Sequence, residues 1–329
     1  HDITQIIPGV TKDAVFRKGH IIREEDIPVL LSVGKDSVYI WENDETMMHE
    51  NDAAEVLYRM TANEHMHPSD VKEGKIEAIA DTEGLLKVDR EKLKKVNAFG
   101  EMMIATRHGN TVVKKGDKLA GTRIIPLVIK KDKMQEAEKI CDGTPILKIL
   151  PFTVKKAAII TTGNEVYHGR IKDAFTPVIE QKIAEFGAEM MFHEIFDDND
   201  RKITDGCLRA IEAGADIVFC TGGMSVDPDD KTPLAIKNTG AEMISYGSPV
   251  LPGAMFLLSY YRKGDKVIPI CGLPGCAMYN RRTIFDLVLP RLMAADPVTA
   301  DELASLGEGG LCLNCKVCTF PNCGFGKGW

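Results

Sequence analysis

Strand and helix patterns alternate between residues 157 and 292, and this alternation constrains the fold more than any other feature of the sequence. Short apolar runs, such as residues 216–220, alternate with segments in which apolar residues recur at helical spacing. In one such segment Ile203, Cys207 and Ile211 are four residues apart. This alternation is typical of a mostly parallel sheet with helices on both faces. We therefore predict a doubly wound α/β domain.

Two of the predicted strands end in glycine turns that carry hydroxyl and carboxylate groups. These residues are Thr162, Gly163 and Glu165 after the first strand, and Thr221, Gly222, Gly223, Ser225 and Asp230 after the third. Glycine allows the backbone to approach a ligand closely, and hydroxyls beside free N–H groups suit phosphate oxygens. The carboxylates would repel a bare phosphate but suit a Mg²⁺ ion that bridges to one. For either turn alone, an α/β domain without such a site is favoured, because such domains commonly have glycine turns after their strands. Because ligands bind at the carboxyl ends of parallel strands, the two turns together predict one phosphate-and-metal crevice.

Four motifs in this region resemble, in the same order, those of the molybdopterin-binding domain of molybdenum-cofactor biosynthesis proteins. They are Thr161-Thr-Gly-Asn-Glu165, Thr221-Gly-Gly-Met-Ser225 with the acids that follow it, Leu251-Pro-Gly253 and Gly272-Leu-Pro-Gly275. Within that group the sequence is most similar to the molybdopterin molybdotransferases. A weaker similarity to the same enzymes lies at residues 16–34.

The resemblance implies the roles of individual residues. It implies that Glu165, Asp197 and Asp230 are active-site acids, and that Asp197 and Asp230 position Mg²⁺ and molybdate. It implies that molybdopterin and its phosphates are bound by Thr162, Gly163, Asp173, Thr221, Gly222, Gly223, Ser225, Pro252, Gly253, Leu273, Pro274 and Gly275. The further partners that it implies are molybdate, a second copy of the chain and a recipient molybdoenzyme.

Three functions are consistent with these motifs. The first is insertion of molybdate into adenylated molybdopterin with release of AMP. The second is the MgATP-dependent adenylyl transfer that prepares this substrate, and the third is a molybdopterin-binding carrier or sensor without catalysis. The similarity at residues 16–34 favours the first over the second. Residues 249–255 lack two lysines of the family pattern, which would neutralise phosphate and molybdate charge, and this absence favours the third.

Composition excludes some classes of partner. The chain has 41 basic and 48 acidic residues, so no overall basic field argues for binding to nucleic acid. The sequence contains no signal peptide and no apolar run long enough to cross a membrane. We therefore predict a cytoplasmic protein with no membrane partner.

The pattern before the α/β domain is less regular. We predict a β-rich α+β module over residues 1–150, the α/β domain over residues 151–296, and a separate cysteine-rich tail over residues 297–329. Within the first module, the pattern predicts a helix over residues 24–32 and a strand over residues 37–41.

The tail contains four closely spaced cysteines, which are Cys312, Cys315, Cys318 and Cys323. The first three are separated by two residues each, so a short loop could direct all four thiolates to one centre. Four sulfur ligands suit Zn²⁺ or an iron–sulfur cluster. The spacing is closer to that of ferredoxins, although one more residue precedes the last cysteine and no proline follows it. We predict a metal site, with a [4Fe–4S] cluster favoured over zinc. Disulfides are disfavoured in a cytoplasmic chain.

Overall fold

The computed structural model describes residues 3–7, 11–17, 19–38 and 44–328. The chain divides into two compact units. The first comprises residues 1–81, 88–107 and 116–148, and the second comprises residues 82–87, 108–115 and 149–329. The predicted strand over residues 37–41 lies largely outside the described residues.

The first 150 residues contain short strands and four helices among the described residues. The strands are β1 (Ile3–Ile7), β2 (Thr11–Phe16), β3 (Met47–His49), β4 (Met66–Pro68), β5 (Lys75–Ala80), β6 (Gly84–Val88), β7 (Met102–Thr106), β8 (Thr111–Val113), β9 (Lys118–Ile124), β10 (Val128–Lys130) and β11 (Leu147–Leu150). The helices are α1 (Ile27–Ser32), α2 (Glu50–Thr61), α3 (Arg90–Asn97) and α4 (Lys131–Cys141), and a 3-10 turn over Glu24–Asp26 precedes α1.

The first unit is built around an antiparallel sheet of order β4-β5-β9-β7. Helix α2 supplies much of its core, because Ala53, Leu57 and Met60 fall on one helical face and are all buried. The helix begins after His49, whose ring nitrogen accepts a hydrogen bond from the Asn51 N–H at 3.2 Å.

The second unit is an α/β domain around a six-stranded mixed sheet. Its strands are β12 (Lys156–Thr162), β13 (Glu189–Phe196), β14 (Ile217–Thr221), β15 (Glu242–Tyr246), β16 (Leu257–Lys263) and β17 (Lys266–Leu273), in the order β13-β12-β14-β17-β16-β15. The pairs among β13, β12, β14 and β17 are parallel, and those among β17, β16 and β15 are antiparallel. The prediction of a doubly wound, mostly parallel α/β sheet is confirmed.

Helices cover both faces of this sheet. They are α5 (Asn164–Tyr167), α6 (Phe175–Ala184), α7 (Asp200–Glu212), α8 (Thr232–Asn238), α9 (Ile284–Met293) and α10 (Ala300–Ser305), with a 3-10 turn over Gly275–Met278. Apolar residues of α7 and α8 form one core with the sheet, and those of α6 and α9 form the other. Strands such as β14 have no exposed residue, and this is why they appear in the sequence as continuous apolar runs.

In the described residues, we find no helix with both the length and the apolar character needed to span a membrane.

Candidate functional site

The turn at residues 221–225 directly follows β14 and has a backbone that favours glycine. Gly222 and Gly223 have φ angles of +81° and +54°. A Cβ atom at Gly222 would lie 2.2 Å from the carbonyl oxygen of Thr162, and one at Gly223 would lie 2.9 Å from the Thr232 hydroxyl. The turn therefore requires both glycines because other groups approach its backbone closely.

Hydroxyl groups hold the carbonyl side of this turn. Thr232 Oγ1 donates to the Gly222 carbonyl at 2.9 Å. The Tyr246 hydroxyl donates to the Met224 carbonyl at 3.1 Å. The position of the turn is thus fixed by α8 on one side and by β15 on the other.

The two threonine side chains predicted to bind phosphate are buried within the protein. Thr162 Oγ1 donates to the carbonyl of Thr221 at 3.1 Å, which ties the first glycine turn to the second. Thr221 is fully buried, and its hydroxyl has no partner among the described residues. In this arrangement the donors available to a ligand at the turn are backbone N–H groups rather than the two hydroxyls.

These N–H groups are available. Within the part of the chain that the structure describes, the backbone N–H groups of Gly223, Met224 and Ser225 donate to no protein acceptor. The Ser225 side chain beside them is exposed. Successive unpaired N–H groups at a glycine turn form a concave site for an anion, so this turn can hold phosphate oxygens.

Carboxylates from three loops lie near one another at the carboxyl end of the sheet. Burial raises the pKa of the Asp198 carboxyl, a hydrogen bond from the Asn164 N–H lowers it, and the negative charges of Glu165, Asp229 and Asp230 raise it again. The net pKa is above the ordinary value. Electrostatic effects of this kind require proximity, so the structure brings the predicted acids Glu165 and Asp230 to one region.

Asp197 lies beside this group and forms an ion pair. Its Oδ2 atom accepts a hydrogen bond from Lys202 Nζ at 2.8 Å, and this bond is the main cause that raises the pKa of Lys202. The other oxygen, Oδ1, is buried and has no partner among the described residues. Lys202 Nζ also lies 5.7 Å from the centroid of the Tyr167 ring. Asp197 therefore has one oxygen neutralised and one available to a further ligand.

Asp230 closes a short turn. Its Oδ2 atom accepts a hydrogen bond from the Asp227 N–H at 3.0 Å, and its own N–H donates to the Asp227 carbonyl at the same distance. Asp229, by contrast, is exposed.

Asp173 lies in a separate hydrogen-bond network at the start of α6. Its carboxylate accepts bonds from the Thr161 and Thr176 hydroxyls at 2.9 and 2.6 Å and from the Phe175 N–H at 2.8 Å. Burial alone would raise the pKa of Asp173, but these hydrogen bonds outweigh it and the pKa is lowered. Asp173 remains charged at neutral pH and stabilises the first turn of the helix.

The third and fourth motifs differ in their surroundings. Gly253, next to Pro252, is buried, and a Cβ atom there would lie 2.4 Å from a methyl group of Ile284. Leu273 is fully buried at the end of β17 and is followed by Pro274. Gly275 is exposed, and a Cβ atom there would meet no atom within 4 Å. The glycine of the third motif thus serves packing, whereas Gly275 presents open backbone.

The carboxylate oxygens in this region suit Mg²⁺. They suit less well a metal that is bound only by protein side chains. No group of three or more His, Cys, Asp or Glu side chains is arranged to hold a metal ion among the described residues. Mg²⁺ is usually bound by one or two carboxylates together with substrate phosphates and water. The unpartnered Oδ1 of Asp197 and the neighbouring carboxylates suit that mode.

The four tail cysteines lie elsewhere in the second unit. All four have free thiols, and they line one cavity together with Arg281 and Arg282.

Some contributors to the crevice were not among the predicted site residues. They are Asp198, Lys202, Thr232 and Tyr246. Asp198 adjoins the predicted Asp197, and Lys202 follows within the first turn of α7, so proximity in sequence could have indicated both. Tyr246 carries no such signal because its contact depends on the antiparallel strand β15.

Comparisons with known proteins show what this domain is similar to. Residues 158–294 match the family profile described as "Probable molybdopterin binding domain". A second profile, described as a domain of unknown function, matches residues 1–42. The α/β domain is therefore similar to molybdopterin-binding domains, as its motifs predicted. The closer similarity to molybdotransferases stays a prediction.

The relatives with curated names are longer proteins. The chain is 30% identical over 129 residues to a protein of Bacillus cereus (strain B4264) named as competence-damage inducible, covering 39% of this chain and 30% of the relative. It is 32% identical over 85 residues to a protein of the same name from Bacillus subtilis (strain 168), covering 26% of this chain and 20% of the relative. The chain thus spans less than a third of the length of these relatives.

Solved structures with similarity to the α/β domain include two archaeal proteins. The tungsten cofactor synthesizing protein MoaB from Pyrococcus furiosus is 20% identical with a TM-score of 0.34, and the match covers 43% of this chain and 89% of that one. The protein CinA of unknown function from Thermoplasma acidophilum is 17% identical with a TM-score of 0.34, and the match covers 42% and 98%.

Proposed function

We propose that this protein acts in molybdenum-cofactor biosynthesis, where it binds adenylated molybdopterin and inserts molybdate with release of AMP. The observation that carries the proposal is the fixed turn at residues 221–225. Its carbonyl groups are held by Thr232 and Tyr246, and its N–H groups remain unpaired beside carboxylates. Such a turn suits a ligand that carries phosphate and is bound together with a cation.

In this proposal the chain's own residues bind and orient the ligand. The N–H groups of Gly223, Met224 and Ser225 hold phosphate oxygens. Asp197 and Asp230 would hold Mg²⁺, which supplies positive charge to offset the phosphate oxygens when it is bound. Glu165, which is exposed in the first turn of α5, would accept a proton from an attacking water.

Lys202 supports an anionic substrate at this acidic site. The family pattern has two lysines at residues 249–255 that this chain lacks, but Lys202 places a positive charge at Asp197. This lysine would offset charge on molybdate or phosphate once the ligand displaces part of its ion pair.

A carrier or sensor without catalysis is the second candidate. It is favoured by the absence of those two lysines and by the packing role of Gly253 in the same segment. Adenylyl transfer from MgATP is a third activity that the same fold could support.

The test is anaerobic incubation of the full chain with adenylated molybdopterin, with and without molybdate, and quantification of AMP by chromatography. We expect AMP release to require molybdate. Glu165→Gln should reduce the rate by on the order of 100-fold, as for loss of a general base. The matched control is Glu180→Gln, on the exposed side of α6, which should leave the rate unchanged.

Other outcomes identify the alternatives. Consumption of ATP in the presence of molybdopterin would indicate adenylyl transfer. Tight binding of molybdopterin with no turnover of either substrate would indicate the carrier.

The same proposal includes a cytoplasmic homodimer that delivers its product to a recipient molybdoenzyme. Measurement of the molar mass of the purified full chain in solution tests the homodimer. A monomer at the concentration used in the activity assay would contradict it.

A further inference from the structure

The four tail cysteines line one cavity that is partly open to solvent. Cys312, Cys315, Cys318 and Cys323 all line a mainly apolar cavity of about 240 Å³. They come from a segment with no helix or strand of its own, so their convergence depends on how the tail packs.

The tail is a packed part of the second unit. Leu311 forms a parallel bridge with Leu251, and the Cys312 N–H donates to the Leu251 carbonyl at 2.8 Å. Phe325 is buried in the core beneath the sheet, and Cys312 and Cys323 pack against the same core. The cysteine positions are therefore set by contacts with the α/β domain.

Glycine residues allow this packing. The Gly326 N–H donates to the Gly309 carbonyl at 3.0 Å, and a Cβ atom at Gly326 would lie 2.3 Å from a methyl group of Leu287. A Cβ atom at Gly310 would lie 2.5 Å from the carbonyl of Pro249. The backbone approaches its neighbours too closely for other residues, so the glycine-rich sequence of the tail supports a defined structure.

Two arginines give the cavity a positive charge. Arg282 pairs with Asp286 at 2.8 Å, lies 4.8 Å from the Phe320 ring centroid and has the Cys318 side chain as a hydrogen-bond partner. Arg281 donates to the carbonyl of Lys316 at 3.3 Å. Guanidinium groups carry a permanent positive charge and suit an anionic cofactor.

The spacing of the cysteines in the sequence favours a cluster over a single ion. Cys312, Cys315 and Cys318 are separated by two residues each, which is the spacing of cluster ligands in ferredoxins. Structural zinc sites usually combine one such cysteine pair with two ligands from a separate segment. Among the described residues, no three or more of the His, Cys, Asp and Glu side chains are already arranged to hold a metal ion, so the cysteines would come closer together on binding.

We propose that the tail cavity binds a [4Fe–4S] cluster through Cys312, Cys315, Cys318 and Cys323, with Arg281 and Arg282 offsetting its negative charge. Each thiol loses one proton on binding. The cluster forms from two ferric ions, two ferrous ions and four sulfide ions, which gives the oxidised cluster without a further oxidant or reductant. The proposal rests on the tail and is independent of the function proposed for the crevice.

The test is anaerobic reconstitution of the full chain with ferric iron, ferrous iron and sulfide in those proportions, followed by measurement of iron, sulfide and zinc. We expect about four irons and four sulfides per chain. Cys315→Ala and Cys318→Ala replace exposed cysteines and should lose the cluster. The far-ultraviolet circular dichroism spectrum, which reports secondary structure, should stay unchanged. Cys276→Ala, at a partly buried cysteine outside the cavity, is the control and should retain all four irons.

A second measurement places the cluster beside the arginines. Arg281→Gln should keep the iron content but shift the reduction potential to a more negative value, because a positive charge that favours added electrons is lost. An unchanged potential would contradict the location. One zinc per chain, two irons per chain, or disulfides with no metal would each overturn the cluster.

Discussion

Gly222 and Gly275 lie in two strand-end turns, but added side chains would meet different surroundings there. A Cβ atom at Gly222 would lie 2.2 Å from a backbone oxygen at a φ of +81°, whereas one at Gly275 would meet no atom within 4 Å. Gly222 is therefore required by the fold. The fold does not require glycine at position 275, and the open space beside its backbone leaves room for a ligand.

We predict that Gly222→Ala lowers the free energy of unfolding by about 1–3 kcal/mol or more, because of backbone strain and the clash. Gly275→Ala should change it by less than about 0.5 kcal/mol. Chemical denaturation measures both values. If a ligand approaches the backbone at Gly275, the second variant should still bind molybdopterin more weakly than the wild type. Unchanged binding would remove Gly275 from the site.

Asp198 is the residue whose ionisation opposes folding in this cluster. Its pKa is raised by burial and by Glu165, Asp229 and Asp230. When the pKa of a carboxyl rises on folding, the protonated form favours the folded state. This contribution to stability is complete below the pKa of the unfolded state. It is lost as the pH rises through the pKa of the folded state.

Asp198→Asn should therefore be more stable than the wild type at neutral pH, and the difference should shrink as the pH falls towards the ordinary carboxyl value of about 4. The asparagine oxygen can still accept from the Asn164 N–H. Urea denaturation of both proteins across this pH range measures the difference. If the variant is less stable than the wild type at every pH, other groups compensate the Asp198 charge in the folded protein.

At the scale of elements, Asp216 ties the starts of three strands together. Its carboxylate accepts bonds from the Lys155 and Lys156 N–H groups at 3.1 and 3.0 Å and from Lys266 Nζ at 2.6 Å. Burial would raise the pKa of Asp216, but these bonds lower it overall. Its stabilising effect is therefore present above the ordinary carboxyl pKa and is lost as the pH falls through the lowered value.

Asp216→Ala should lower the free energy of unfolding by about 1.5–3 kcal/mol at neutral pH, as for hydrogen bonds to a charged group. The difference from the wild type should narrow in strong acid. Asp265→Ala, in the exposed turn between β16 and β17, is the control and should change stability little. Equal effects of the two substitutions would contradict this role for Asp216.

The parallel strands were predictable because they are buried on both faces and read as apolar runs, as in β14. Strands β15 and β16 were not among the predicted elements. Residues of β15 are exposed or half-buried, so its sequence resembles a loop. Its place is set by pairing with β16, which local patterns do not encode.

The composition of the site was more predictable than its contacts. Glycines and carboxylates mark the strand ends in the sequence, and the structure gathers Glu165 and Asp230 there. The burial of the Thr162 hydroxyl was not predictable, because it depends on Thr232, seventy positions away in the chain. A hydroxyl in a turn suits a ligand and a neighbouring helix equally well, and only the packing decides between them.

At the scale of the whole molecule, charge determines how an anionic ligand can bind. The chain has a net charge of −7, and its crevice carries several carboxylates. Unpaired N–H groups and Lys202 supply positive potential locally, but a phosphate near those acids needs a cation as well. Binding should therefore depend on Mg²⁺ and on the acid that holds it.

The most direct test of the proposed molybdopterin site is calorimetric titration of the full chain with adenylated molybdopterin, with and without Mg²⁺. We predict that Mg²⁺ tightens binding in the wild type and that Asp230→Asn reduces this gain by more than about tenfold. Asp229→Asn, one residue away and exposed, should retain most of the gain. Binding that is indifferent to Mg²⁺, or equal losses in the two variants, would contradict a phosphate-and-metal site at this turn.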